Sequence, residues 1–319
     1  MPNTKEVVRI SQQYAIEQRG RSWWYFASTF GLVAALAALI CVAPWWQLRL
    51  PASLLLGLVL VRAFILYHDH LHGAILKGSW VASLVMRIYG LFVLNPKSIW
   101  QRSHNHHHRS VGLVYGSSIG SFPLMTSADW AKADRWARLR YVLQRHPVTI
   151  ACGYLTIFLY GMCVRSFVVD PRRHADSGIA LLLHATLVAL LAVWAPWLML
   201  FLVVVPMTIA SALGAYLFYA QHNFPAVQIL QRAEWTFVRA ALQSSSYIRM
   251  NGAMRWFTGN IGYHHVHHVN AKIPFYRLPE AMAGMVQLQS PGTTSLSPRQ
   301  IWRCLRLRVW DQQLRRMTT

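Results

Sequence analysis

Residues 23–72 read WWYFASTFGLVAALAALICVAPWWQLRLPASLLLGLVLVRAFILYHDHLH. Two apolar runs, Trp23–Trp46 and Pro51–Tyr67, are separated by QLRL (47–50) and followed by three alternating histidines. A membrane-spanning helix needs about 20 apolar residues, with a range of roughly 17–25, so each run is long enough to cross a bilayer. A connection this short turns the second run back antiparallel to the first. Tryptophans 23, 24, 45 and 46 sit at the ends of the first run, where interfacial aromatics belong. The stretch therefore predicts a transmembrane hairpin that delivers His68, His70 and His72 to one membrane face.

The pattern recurs at Gly178–Trp194 and Pro196–Ala220, a second hairpin with Trp194 and Trp197 at its turn. Composition agrees. Of 319 residues, 55% are hydrophobic and 13% charged, against about 25% charged in a soluble domain. Basic residues outnumber acidic ones 31 to 10. A nucleic-acid binder would not bury its bases between long apolar runs, so the excess reads as cytoplasmic Lys and Arg beside a bilayer. The two outer turns hold one arginine between them, and the remaining basic residues fall on the other side. The four cysteines (41, 152, 163, 304) have no paired spacing, and Cys41 lies in a span, which argues against a disulfide framework.

The rest of the chain completes the expected architecture. Residues 1–22 are polar, with no apolar core before a cleavage site, and read as a retained cytoplasmic tail. Pro147–Val169 is apolar but is followed by the basic loop DPRRH. A crossing there would place the histidine clusters on opposite faces, so 147–169 is read as interfacial or re-entrant. Trp80–Leu94, shorter and carrying Arg87, is read the same way. Residues 298–319 alternate Arg with Trp, Leu and Val, the pattern of a basic helix lying on anionic lipid. The expectation is one domain over 1–319. It is an all-α integral membrane protein with four transmembrane helices in two hairpins, interfacial helices, and a cytoplasmic helical cap carrying the histidines.

Twelve of the fifteen histidines fall in four clusters on that one face: HDHLH (68–72), HNHHH (104–108), QHNF (His222) and YHHVHH (263–268). On a helix, residues at i, i+3 and i+4 share a side. His68 and His72 have that relation, as do His104, His107 and His108, and again His264, His267 and His268. His70 and His106 point away, and His265 lies about 100° round from His264. With His222 the converging set numbers nine, more than one ion takes. Two metal ions with open positions follow. Imidazole suits Zn, Cu, Fe and Ni. No cysteine lies near a cluster, whereas structural zinc favours closed sites rich in Cys. Two open, all-nitrogen metals beside a bilayer suit iron that activates O₂. The isolated histidines 146, 174 and 184 and Arg62 in the second span are read as packing groups, Arg62 snorkelling or pairing with a carboxylate.

At these residues the sequence resembles the membrane-bound fatty acid desaturase family. The boxes HDHLH, HNHHH and HHVHH carry the resemblance, with FYAQHNF, EWTFVRAALQSSSY and WFTGNIGYHHVHHVNAKIPFYRLPEA, the last similar to bacterial acyl-lipid desaturases. It covers roughly Trp23 to Ala281. HDHLH differs in carrying His70 where many relatives have a small residue, and QHNFPAVQ lacks an acidic-aromatic continuation. The resemblance implies two non-haem iron ions held by His68, His72, His104, His107, His108, His222, His264, His267 and His268. It implies O₂-dependent insertion of a cis double bond into an acyl chain, with electrons from a separate carrier such as ferredoxin, in a bacterial inner membrane with the site facing the cytoplasm. Asp69, Asn105, Asn223, Asn260 and Glu280 are candidates to accept the remaining imidazole protons. A lipid or carotenoid hydroxylase or ketolase would share this ligand set. A metal transporter would want polar groups at mid-membrane, which the first and fourth spans lack.

Overall fold

The computed structural model describes residues 3–116 and 120–319. The chain is 69% helical with almost no sheet, about twice the helix content of an ordinary soluble domain. Four helices are long and apolar enough to cross a membrane: Arg19–Val42, Trp46–His72, Ala175–Trp194 and Pro196–His222. In three of them only 17–28% of the most apolar stretch is buried within the protein. Leu39, Val42, Leu182, Leu183, Leu190 and Val193 all face outward. A helix that is apolar on every side needs an apolar solvent, and the chain is a membrane protein.

The first turn differs from expectation. It occupies Ala43–Trp45, and residues 47–50 are helical. Ala43 precedes Pro44 and is extended (φ −60°, ψ 127°), because the proline ring disfavours the α conformation in the residue before it. The helix therefore ends at Val42. The next begins at Trp46 and carries Pro51 in its second turn. It runs unbroken through HDHLH to His72, where Gly73 in the left-handed conformation (φ 69°) stops it. In the fourth span, Pro206 has no amide to donate to Leu202, and the preceding residues Met199–Val204 widen into a π-helix.

Two compact units form, each from separate stretches of chain. The first comprises Gln18–Arg102 and Ala151–Ala215. Here Arg19–Val42 packs along Trp46–His72, and Ala175–Trp194 packs against Trp80–Phe92 and the π-helical Tyr154–Arg165. The apolar helix Tyr154–Val169 is shorter than the four long ones. His184 bonds through Nε2 to the Tyr154 hydroxyl at 2.5 Å. Arg62 donates from Nε to Thr29 Oγ1 at 3.1 Å and lies over the Tyr25 ring. His174 is buried beside the Ser98 hydroxyl at 2.8 Å.

The second unit comprises Met1–Glu17, Ser103–Ile150 and Tyr216–Thr319. Its core includes Phe224, Leu230, Ile248, Ile273, Phe275, Leu288 and Trp310. Two features correct the sequence reading. The N-terminal segment, read as a tail, is folded and packed: Thr4–Ser11 is helical, Val7 and Ser11 are fully buried, and Asn270 donates to Ser11 Oγ at 2.9 Å. Arg277 also holds the carbonyls of Gln13 and Ile16. The C-terminal basic helix covers only Pro298–Arg306. Val309–Asp311 and Arg316–Thr318 then pair antiparallel. Trp310 and Met317 are cross-strand partners and both are buried. Asp311 accepts the amides of Gln313 and Leu314, closing the turn. Burying Trp310 on one face of a strand outweighs continuing a basic helix, since an aromatic of this size dominates local packing energy.

Candidate metal centre

Three helices bring together histidines that belong to the second unit. Lys97–Ser110 carries His104, His107 and His108. The span ending at His222 contributes its last residue. The short helix His264–Val269 is buried at every position. It starts at a tight turn in which Asn260 adopts a left-handed φ of 56°, a conformation Asn tolerates better than most residues.

The imidazoles face one another through Nε2. His107 and His222 approach to 2.9 Å, His222 and His264 to 3.0 Å, and His264 and His268 to 3.0 Å. Beside this group of four, His108 lies 3.1 Å from both His104 and His267. The two groups adjoin, since the rings of His108 and His268 stack at 4.3 Å. In the group of four every donor atom lies within 4.8 Å of the others, and the same holds among His104, His108 and His267. In the first unit, His68 and His72 likewise lie on one side of their helix, ring centroids 4.7 Å apart against Trp100.

These distances test whether a metal fits. Two ligand nitrogens at right angles, each about 2.1 Å from a metal, stand about 3.0 Å apart. The observed 2.9–3.1 Å matches that spacing. The protonation pattern agrees at His222. Its Nδ1 lies 2.9 Å from the Ser244 carbonyl, an oxygen that can only accept. Nδ1 therefore carries the proton, and the neutral ring leaves a bare Nε2 lone pair directed at His107 and His264. Ser244 comes this close because residue 112 is glycine, with φ +71°. A Cβ there would stand 2.0 Å from Ser244 Oγ. His268 is held far below the usual histidine range, first by burial and then by the neighbouring histidines. That keeps it neutral, the state a ligand needs.

The other histidines of the boxes turn elsewhere. His265 lies 3.0 Å through Nε2 from the Leu288 carbonyl, and burial lowers its pKa to about 4. His106 Nε2 lies 3.1 Å from the Gly116 carbonyl. His70 contacts the Ile75 carbonyl and Ser83 Oγ. Of the five groups named to accept imidazole protons, Asp69 does meet a ring, with Oδ1 2.9 Å from His68 Nδ1 and both side chains buried. Asn223 is engaged with Arg145 and the Cys304 carbonyl, Asn260 with the Phe275 carbonyl, and Glu280 with Arg277. Asn105 contributes its carbonyl to Arg109. The sequence gives no sign of Ser244 or Leu288, whose carbonyls belong to the backbone and carry no residue signature.

A small recess of about 40 Å³ opens onto His107 and His222, with Phe122, Leu124, Phe218 and Ile229 on its walls and Arg145 and Tyr219 beside them.

Groups of histidine donors able to hold a metal ion, on a protein with four membrane-length helices, define the class as a membrane protein with a candidate metal centre. Within that class, the family model for fatty acid desaturase matches residues 44–294, and the chain belongs to the fatty acid desaturase family, a family of oxidoreductases. A fatty acid desaturase of Bacillus subtilis (strain 168) is 29% identical over 272 residues, 84% of this chain and 76% of that protein. An sn-1 oleoyl-lipid 12-desaturase of Anabaena variabilis is 22% identical over 86% of this chain and 79% of its own length. An sn-1 acyl-lipid omega-3 desaturase (ferredoxin) of Nostoc sp. (strain 36) is 23% identical, covering 82% and 74%.

Proposed function

We propose that this protein is an O₂-dependent, di-iron acyl-lipid desaturase that inserts a cis double bond into the acyl chain of a membrane lipid. The observation that carries the reading is the group His107, His222, His264 and His268, with Nε2 atoms converging at 2.9–3.0 Å and the His222 ring set by the Ser244 carbonyl. His104, His108 and His267 supply ligands of a second ion. His68 and His72 are assigned to the same nine-histidine set on their helical spacing and on the family resemblance. Iron bound there would supply the oxidising power to remove hydrogen from an unactivated C–H bond, with O₂ as the oxidant.

The protein's own part is positioning. Ser244 and Asp69 accept the outer N–H of His222 and His68, which fixes tautomer and ring direction. Phe122, Leu124, Phe218 and Ile229 put an apolar wall beside His107 and His222, against which the end of an acyl segment can be positioned. A net charge of +21 gives an acidic electron carrier a surface to dock on. The names of the Anabaena and Nostoc relatives, an acyl-lipid substrate and ferredoxin, agree with these assignments. The positive excess beside the spans favours a cytoplasmic active site in a bacterial inner membrane, with 147–169 lying at the interface of a single desaturase domain.

The deciding experiment is mass spectrometry, with double-bond mapping, of lipids from cells expressing the wild type or His107→Ala. A His107-dependent loss of two hydrogens is expected. A gain of one oxygen instead would make the enzyme a hydroxylase, and an unchanged profile would refute the reading.

A further inference from the structure

Arg145, the last residue of the helix Arg135–Arg145, is 6% exposed. Among the described residues no carboxylate pairs with it, and its Nε is buried without an acceptor. A buried cation with no counter-ion costs several kcal/mol unless fixed dipoles replace its water. Here the dipoles are a fan of oxygens. Nη1 donates to the Pro123 carbonyl at 2.7 Å, and Nη2 to Asn223 Oδ1 at 2.5 Å, Tyr219 Oη at 3.1 Å and the Leu307 carbonyl at 3.1 Å. The Tyr141 and Tyr219 rings flank the guanidinium.

Two of those partners, Tyr219 and Asn223, bracket His222 in the chain. Each is pinned a second time to the C-terminal segment: Tyr219 Oη donates to Leu307 O at 3.2 Å, and Asn223 Nδ2 donates to Cys304 O at 2.7 Å. His222 is the terminal residue of its helix, and helix ends fray unless tied down. Arg145 also lines the same recess as His222 and His107.

We infer that Arg145 is the positioning residue of His222: its guanidinium locks the last turn of the helix, so that the His222 Nε2 stays aimed into the four-histidine group. It acts through Asn223 and Tyr219 and touches no metal. Only a planar fork reaches carbonyls on three separate segments at once, which explains an arginine at a buried site that offers no acid. The inference rests on the metal-binding reading above.

The test is cobalt(II) titration of metal-free, full-length protein in detergent, read by the cobalt absorption bands and by metal content, alongside thermal melting. Wild type is expected to bind two cobalt ions per chain, and His222→Ala to weaken one of them. Arg145→Met is expected to lose at least about tenfold in affinity for one ion and leave the other unchanged, with Arg145→Lys recovering part of the loss. A merely structural arginine would lower the melting temperature with both ions still bound at wild-type affinity, and that result overturns the inference. Should Arg145→Met not fold, Asn223→Ala decides: weakened binding of one ion supports the lock, and wild-type binding overturns it. A wild type that binds no cobalt overturns the metal-binding reading and the inference with it.

Discussion

The two units of this chain are built on opposite plans. In the first, the long helices turn Leu182, Leu190 and Val193 outward, while polar side chains tie helix to helix within, as Arg62 does to Thr29 and His184 to Tyr154. In the second, polar groups occupy the middle. His267 and His268 are fully buried, in a unit whose core also holds Phe224, Phe275 and Leu288. A lipid solvent tolerates apolar surface but no unsatisfied backbone, so helices suffice there. A buried set of imidazoles is costly unless something binds it or satisfies it. The difference shows where each unit spends its specificity: the first on length and hydrophobicity, the second on the aim of individual ring nitrogens.

Four outcomes would break or sharpen that contrast. The largest concerns the rings that converge against the ring that turns away. His107→Ala and His267→Ala are expected to abolish double-bond formation and deplete iron. His106→Ala, whose Nε2 lies by the Gly116 carbonyl, should stay within about threefold by lipid profile and metal content. Equal loss in all three would end the argument from ring direction.

In the first unit the corresponding experiment is a charge on an outward face. Leu182, 68% exposed near the middle of its span, when changed to Lys should raise the apparent insertion free energy by roughly 2.5–3.5 kcal/mol. Glycosylation mapping of an insertion reporter measures it, and free insertion of the variant would mean that this face meets water.

A smaller effect is expected at Asp69, which bonds His68 at 2.9 Å. Asp69→Asn should weaken metal binding by about 10–100-fold with the fold intact, as loss of a ligand's outer partner does elsewhere. Unchanged affinity by metal titration would assign the pair to packing alone.

The last outcome is acid sensitivity. Burial lowers the His265 pKa to about 4, while an unfolded histidine titrates near 6.5. The unfolded chain therefore takes up a proton that the folded one refuses. The stability of metal-free protein should be level above about pH 6.5 and fall by up to about 1.4 kcal/mol per pH unit for each such histidine between there and 4. Melting temperatures at pH 7.5, 6 and 5 check this, and a flat profile would deny that the buried rings are neutral.

Much of this protein is written locally. An apolar run of given length fixes a span, and spacing within one helix fixes which of its histidines share a side. The four long helices and the turning-away of His106 were legible for that reason. The ends were less so. Pro44 stops the first helix through its effect on Ala43, and the 298–319 segment bends into a hairpin because Trp310 finds a core to enter. What the tertiary structure alone decided is the meeting of ring nitrogens from helices far apart, such as His107 with His222, 115 residues away. It also brought in the partners that aim them: the carbonyl of Ser244 beside Gly112, and the buried fork of Arg145. Periodicity is a property of one helix, whereas convergence depends on how several pack, and a backbone carbonyl leaves no mark in the sequence.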